Sequence, residues 1–293
     1  HIGRQHRAHC VARDLHGAKV GVRRALVVTT DGAPLQSEME HHAQHSRWMA
    51  RCLQLARMGA CSAAPNPMVG AVLVHEGRIL AEGWHHRPGT GHAEVQCLNA
   101  FGGGAVPAEA ILYVNLEPCA HHGRTPPCAD LLIARGVQHV VVAHGDPFPA
   151  VAGRGIARLQ DAGVRVQVGL MADEARWMNR RFLTSVVHER PYVVLKWARS
   201  ADGLLDQEGR SERCGTPISG AQSNILVHRW RSEEQAILVG GTTVLADDPQ
   251  LTVRHVAGQQ PLRVVLDRSG VAPSHSAVFT DGGPTLLITD RNR

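Results

Sequence analysis

The chain has 293 residues, too many for one average domain and about right for two. Hydrophobic residues make up 43% and charged ones 19%, an ordinary globular balance, and no apolar run approaches the roughly 20 residues that a membrane span needs. Of the formal net charge of +5, a surplus of +3 lies before Met39 (Arg4, Arg7, Arg13, Lys19, Arg23 and Arg24 against Asp14, Asp31 and Glu38), so the rest carries +2 with no basic stripe, and no nucleic-acid partner is expected.

Only two of the 31 basic residues are lysine, Lys19 and Lys196. The skew toward arginine carries no function by itself, but it makes Lys196 worth following. Seven cysteines, an odd number, behind an N-terminus without a secretory pattern argue against a disulfide framework and for the cytoplasm. Cys10, Cys52, Cys61, Cys97 and Cys214 read as scattered small hydrophobes, whereas Cys119 and Cys128 sit in a polar, proline-rich run.

Residues 1–44 show no sustained periodicity and are expected to form an extension, disordered or not native, with Met39 a natural start. Order is expected from His45, where Trp48, Met49, Cys52, Leu53, Leu55 and Ala56 recur at helical spacing up to Gly59. MVGAVLV and RILAEGW, separated by HEG, predict a hairpin. HAEVQCLNAFG predicts a helix, AILYVNL a buried strand, PCADLLIARG a helix and HVVVAH a strand. GIARLQDAG, VRVQVGL and ADEARWMNRRFLTSVVHER continue with a helix, a strand and one longer helix. Strands alternating with helices imply an α/β layered sheet.

Pro191 breaks that alternation, and the boundary between a first domain, 45–188, and a second, 191–293, is placed there. The second part predicts a strand in YVVLKWARSADG, a helix from about Gly220 to Arg231, and strands QAILVGG, LRVVLD and TLLITD. Gly240 and Gly241, followed by Thr242 and Thr243, read as a glycine turn that lets backbone approach a phosphate. A Rossmann fingerprint is absent: after Gly153-Arg154-Gly155, Arg158 stands where the third glycine would fall.

In HAEV, His92 and Glu94 stand two apart at a helix start; Cys119 follows a strand, and Cys128 opens the next helix. Zinc takes tetrahedral nitrogen and sulfur ligands, and a catalytic site keeps one of four positions open. His92, Cys119 and Cys128 supply three ligands, and Glu94 is the spare carboxylate that moves protons. This is the pattern of the zinc-dependent nucleobase deaminases, except that the cysteines stand nine apart instead of three, so AHHGRTPP must loop away and return. Two plainer readings stand beside it: a structural zinc site completed by His121 or His122, and two unrelated cysteines.

EPCAHHGRTPPC, with PNPMVGAVLV, HAEV and DPFPAVAGRG, resembles the deaminase half of the bifunctional riboflavin-biosynthesis deaminase/reductases. LKWARSADG, HRWRSEEQAILVGGTTVLADDPQLTVR and LRVVLD resemble their reductase half. The resemblance implies a three-layer cytidine-deaminase-like zinc domain followed by a dihydrofolate-reductase-like α/β domain. It also implies two reactions on a small pyrimidine ribosyl phosphate, a zinc-dependent deamination and an NADPH-dependent reduction of ribosyl to ribityl, in an enzyme that often self-associates. Matching positions imply roles: Asn66, His85, His121 and Arg124 as deaminase substrate contacts; Ser219, Thr243 and Asp247 as NADP contacts; Lys196, Arg231, Leu251 and Arg254 as reductase substrate contacts.

The chain departs from that pattern in three places. Phe148 stands where family members carry asparagine, and Pro217 where they carry tryptophan. From Pro191 to Arg293 the chain is short for such a reductase domain and lacks its glycine-rich C-terminal element, so a C-terminally truncated second domain is expected, with weak NADPH binding and deamination that can proceed without the reduction. Two other functions compete. A single-function nucleobase or tRNA-editing deaminase leaves residues 191–293 unexplained, and a non-catalytic zinc-stabilised binding module makes Glu94 dispensable.

Overall fold

The hairpin turn His75-Glu76-Gly77-Arg78 places both central residues at positive φ, 48° for Glu76 and 70° for Gly77, the geometry that matches the twist of paired strands. It belongs to a computed structural model that describes residues 11–13, 35–121, 126–148, 151–207, 209 and 215–290. They form two units, one of residues 35–192 and one of residues 11–13 with 193–290.

In chain order, β1 (Val11–Arg13) belongs to the second unit. The first unit begins with α1 (Leu35–Arg57), followed by β2 (Gly70–His75) and β3 (Arg78–Trp84). Then come α2 (Ala93–Phe101), β4 (Ile111–Val114), α3 (Cys128–Ala134), β5 (His139–Val142), α4 (Arg154–Asp161) and β6 (Arg165–Val168). It closes with α5 (Ala172–Met178) and α6 (Arg180–His188).

The sheet runs β3-β2-β4-β5-β6, antiparallel through the hairpin and β4, then parallel. Its period of two divides the core cleanly. Ala71, Leu73, Leu112, Val114, Val140 and Val142 pack with Cys97, Leu98, Leu132 and Leu159 of α2, α3 and α4. Val72, Val74, Tyr113 and Val141 pack with Met49, Cys52, Ala56, Ala175 and Met178 of α1 and α5. Helices on both faces of the sheet make three layers.

The second unit holds β7 (Leu195–Trp197), α7 (Ala221–Glu233), β8 (Ala236–Gly240), α8 (Gly241–Asp247), β9 (Leu262–Leu266), α9 (Ala277–Thr280) and β10 (Thr285–Ile288). β8, β9 and β10 form a parallel sheet in the order β10-β9-β8, and β1 pairs antiparallel with β7. Val265, with Ile237, Val239 and Leu287, packs against Val244, Leu251, Ala272 and Val278.

Four expectations are corrected. First, residues 1–44 are not wholly irregular: β1 lies within them, and α1 starts at Leu35, because Gln, Glu, Met and Ala there favour a helix without an apolar stripe to announce it. Second, the helix expected after β6 is broken at Asn179, which accepts a bond from the Met68 amide (2.8 Å) and donates one to the Met68 carbonyl (3.0 Å).

Third, Gly240 and Gly241 form the start of a helix rather than a turn. Gly240 is extended at φ −79° and ψ 155°, and Gly241 opens α8. At Gly241 the need for glycine is steric, since a Cβ there would lie 2.4 Å from Asp267 Oδ1, whereas one on Gly240 would meet nothing within 4 Å. Fourth, α9 adds a turn of helix between β9 and β10 where none was expected.

Candidate metal centre and active site

The α/β layering brings three distant points of the chain together beyond the carboxyl end of β4, the central strand of the sheet. His92 is the N-cap of α2, Cys119 follows the end of β4, and Cys128 is the first residue of α3, behind Pro127. Proline suits that place because its missing N–H is not needed at a helix start. His92 Nδ1 lies 3.3 Å from Cys128 Sγ and 3.5 Å from Cys119 Sγ, and the Cys128 amide donates to Cys119 Sγ at 3.3 Å.

The three donor atoms all lie within 4.8 Å of one another. Corners of a tetrahedron with zinc–ligand bonds of about 2.0–2.3 Å are roughly 3.4–3.8 Å apart, and the His92 separations of 3.3 and 3.5 Å from the two sulfurs suit that spacing. The hydrogen bond from Cys128, with His92 beside it, pushes the Cys119 thiol down to about 4, and the Cys128 thiol is pushed up in return. A pair that already shares one proton is built to give it up to a divalent cation.

Glu94 lies in the first turn of α2, 3% exposed, two residues from His92. Burial lifts its carboxyl to about 7, with His92 offsetting part of the rise. That value suits a group that must both accept and return a proton near neutrality. His85 is buried, donates from Nδ1 to the Gly91 carbonyl (3.3 Å) and accepts from Asn66 Nδ2 at Nε2 (3.0 Å). Its ring stands edge-on to His92, 5.6 Å between centroids. Burial lowers its pKa, in keeping with a neutral ring whose two nitrogens are both engaged, so His85 orients Asn66.

His121 is exposed at the end of the described part of its loop, its ring centroid 6.5 Å from that of Phe148. Arg124 lies outside the described residues.

In the second unit, Arg231 on α7 donates to the Thr252 carbonyl (2.5 Å), and Arg254 donates to Gln250 Oε1 and Thr252 Oγ1, both at 2.7 Å. The two guanidiniums thus share the segment that carries Leu251. Leu251 itself, at φ 58°, buries its side chain with Val244 and Val265, leaving backbone rather than side chain for a ligand. Thr243 and Asp247 lie on α8, where the parallel strand β8 ends; Ser219 precedes α7, and Lys196 projects exposed from β7. A helix that starts at the carboxyl end of a parallel strand is where such sheets take nucleotides, and Thr243 and Asp247 stand on such a helix.

The comparisons agree with both units. A family model for the cytidine and deoxycytidylate deaminase zinc-binding region matches residues 42–144, and one for the RibD C-terminal domain matches residues 191–293. The riboflavin biosynthesis protein RibD of Aquifex aeolicus is 44% identical over 246 residues, covering 83% of this chain and 68% of that protein. RibD of Escherichia coli is 44% identical over 254 residues, covering 82% and 68%. The chain belongs to the RibD family.

A crystal structure of a Thermotoga maritima diaminohydroxyphosphoribosylaminopyrimidine deaminase/5-amino-6-(5-phosphoribosylamino)uracil reductase superposes with a TM-score of 0.79 at 39% identity, covering 86% of this chain and 71% of that one. Acinetobacter baumannii RibD gives 0.75 at 37% identity, covering the same shares. The chain spans about two thirds of the length of its RibD relatives: 68% in Aquifex aeolicus, 64% in Chlamydia pneumoniae. The zinc-binding match contains His92, Glu94, Cys119 and Cys128.

Sequence reasoning gave no role to two buried residues around this RibD-type centre. Asn115 accepts from the Gly70 amide (2.7 Å) and donates to the Met68 carbonyl (3.0 Å), fixing the strand that follows Asn66. Glu117 takes four backbone amides on its carboxylate. A polar side chain closing an apolar strand was the available signal for each.

Proposed function

We propose that the chain acts in riboflavin biosynthesis as a bifunctional enzyme. Its first unit hydrolyses the exocyclic amine of 2,5-diamino-6-ribosylamino-4-pyrimidinone 5′-phosphate. Its second unit reduces the ribosyl group to ribityl with NADPH. The observation that carries the reading is a buried carboxylate, Glu94, set beside a His–Cys–Cys donor set in a chain of the RibD family.

His92, Cys119 and Cys128 would hold a zinc ion, which when bound would supply a water nucleophilic at neutral pH. Glu94 accepts the proton that water gives up as its oxygen bonds to the ring carbon. The same carboxyl passes that proton to the neighbouring ring nitrogen, takes a second from the hydroxyl now on the ring carbon and gives it to the exocyclic nitrogen, and the C–N bond breaks to leave a carbonyl and ammonia. Asn66, oriented by His85, holds the pyrimidine, while His121 and Arg124 take polar and anionic groups of the substrate.

In the second unit Arg231 and Arg254 hold the substrate phosphate, and Ser219, Thr243 and Asp247 meet the cofactor, which supplies a hydride when bound. The substrate is a small molecule: the basic residues are not gathered in a stripe, and among the described residues no helix is long and apolar enough to cross a membrane. Cysteines kept as metal ligands call for a compartment that holds thiols reduced, so a cytoplasmic location belongs to the same proposal. The test is mass spectrometry of the pyrimidine phosphate incubated with the full chain, zinc and NADPH. Deaminated product, followed by reduced product, supports both activities; unchanged substrate overturns them.

A further inference from the structure

Glu117 is a buried carboxylate that the deamination steps leave unused. It lies two residues before Cys119, is 4% exposed, and is held in line by its own amide, which donates to the His144 carbonyl at 3.1 Å. Four amides from another part of the chain converge on it. Oε2 accepts from Asp146 (3.1 Å) and Gly153 (3.0 Å), and Oε1 from Gly155 (2.9 Å) and Ile156 (3.3 Å). Four donors and no competing acceptor call for a side chain that only accepts, on both oxygens.

Three of those amides open α4, whose N-cap, Gly153 at φ 76°, has no side chain with which to cap the helix. Glu117 does that work from β4's end, and the positive end of the helix dipole adds to it. The docking is tight on the backbone side too: a Cβ on Gly155 would lie 1.8 Å from the Pro118 carbonyl oxygen. The first turn of α4 therefore rests directly on the two residues that precede Cys119. The segment so held carries Phe148 to its 6.5 Å separation from the His121 ring.

We propose that Glu117 is a positioning residue for deamination: it clamps the segment before α4 to the strand end that carries Cys119, and so sets one wall of the substrate site at a fixed distance from the metal ligand. This rests on the deaminase reading of that site. Removing the clamp leaves the donor set in place but lets the wall drift. The loss then falls on substrate binding more than on turnover, whereas a merely structural role would lower zinc content, stability and turnover together.

The experiment compares Glu117→Gln with the unmodified full chain for zinc content, amide hydrogen exchange and steady-state deamination. In glutamine an NH2 group would face two of the four amides. One zinc per chain is expected in both proteins, with faster exchange at Gly153, Gly155 and Ile156. KM for the pyrimidine phosphate is expected to rise about tenfold while kcat changes less than about threefold. An unchanged KM, or a fall in kcat that tracks loss of zinc, overturns the role of Glu117. Should Glu117→Gln not fold, Glu117→Asp, which keeps the charge on a shorter arm, is read the same way: a raised KM with intact zinc supports the clamp, and a KM equal to the unmodified chain's overturns it. No ammonia release from the unmodified chain overturns the deaminase reading instead, and the exchange data then still report whether the clamp exists.

Discussion

His92 Nδ1 lies 3.3 Å from Cys128 Sγ although the two residues are 36 positions apart, and each stands at the start of a different helix. The contact removes one reading of the proline-rich loop: Cys119 and Cys128 are not unrelated, and both are free thiols close to one imidazole. It also makes Glu94 the most informative residue to change. In Glu94→Ala, zinc content is expected to stay near one per chain, while ammonia release falls by roughly 10²–10⁴-fold. Near-normal turnover with full zinc would favour a metal-stabilised binding module.

Metal retention should itself depend on pH. Both sulfurs must be thiolates to hold a cation, and protons compete for them as the pH falls. Dialysis of zinc-loaded protein at stepped pH, followed by elemental analysis, is expected to show release on acidification. Cys128→Ser should move that release to higher pH, because it removes one of the two thiolates. Retention independent of both pH and Cys128 would place the metal elsewhere.

Local chemistry was legible in the sequence and long-range chemistry was not. The Glu76-Gly77 turn, the alternating strands and the His92-Glu94 spacing each carry their meaning within a few residues, and the first unit follows them. The helix break at Asn179 was hidden because its partner, Met68, lies 111 positions away. The glycine at 241 was noticed, but its nearest neighbour, the side chain of Asp267, lies 26 positions away and could not be read locally. Leu251 matched a substrate-holding position, yet its left-handed backbone turns the side chain into the core. Glu117 stood in plain view in the motif, but its bonding exists only once the amides of Asp146, Gly153, Gly155 and Ile156 reach it.

Asn179 offers a test of that long-range bonding. It is 2% exposed, and both ends of its amide engage Met68, in the segment that leads from Asn66 into β2. Asn179→Ala leaves the half-buried Met68 N–H without that acceptor, while the Met68 carbonyl keeps Asn115, at a cost of about 1–3 kcal/mol. Denaturant unfolding should show that loss in the first unit's transition. Asn179→Asp restores only the acceptor and should recover part of it. Equal stability of all three proteins would mean that Met68 finds other partners.

The second unit carries its own pH dependence, centred on His228. This residue is buried on α7, accepts the Arg254 amide at Nδ1 (3.0 Å), and packs its ring 4.4 Å from that of His255. Burial, with Arg231, His255 and Arg254 adding repulsion, lowers its pKa to about 4 from an ordinary 6.5. Protonation would turn the Nδ1 acceptor into a donor aimed at an N–H. Between the two values the unfolded chain binds a proton that the folded chain refuses, so the stability contributed by neutral His228 is complete above about 6.5 and is lost as the pH falls toward 4. Unfolding midpoints measured across that window are expected to drop on acidification. His228→Gln, which keeps an acceptor but cannot titrate, should flatten the drop in the second unit's transition, and an equally steep profile in that variant would assign the pH dependence to other groups.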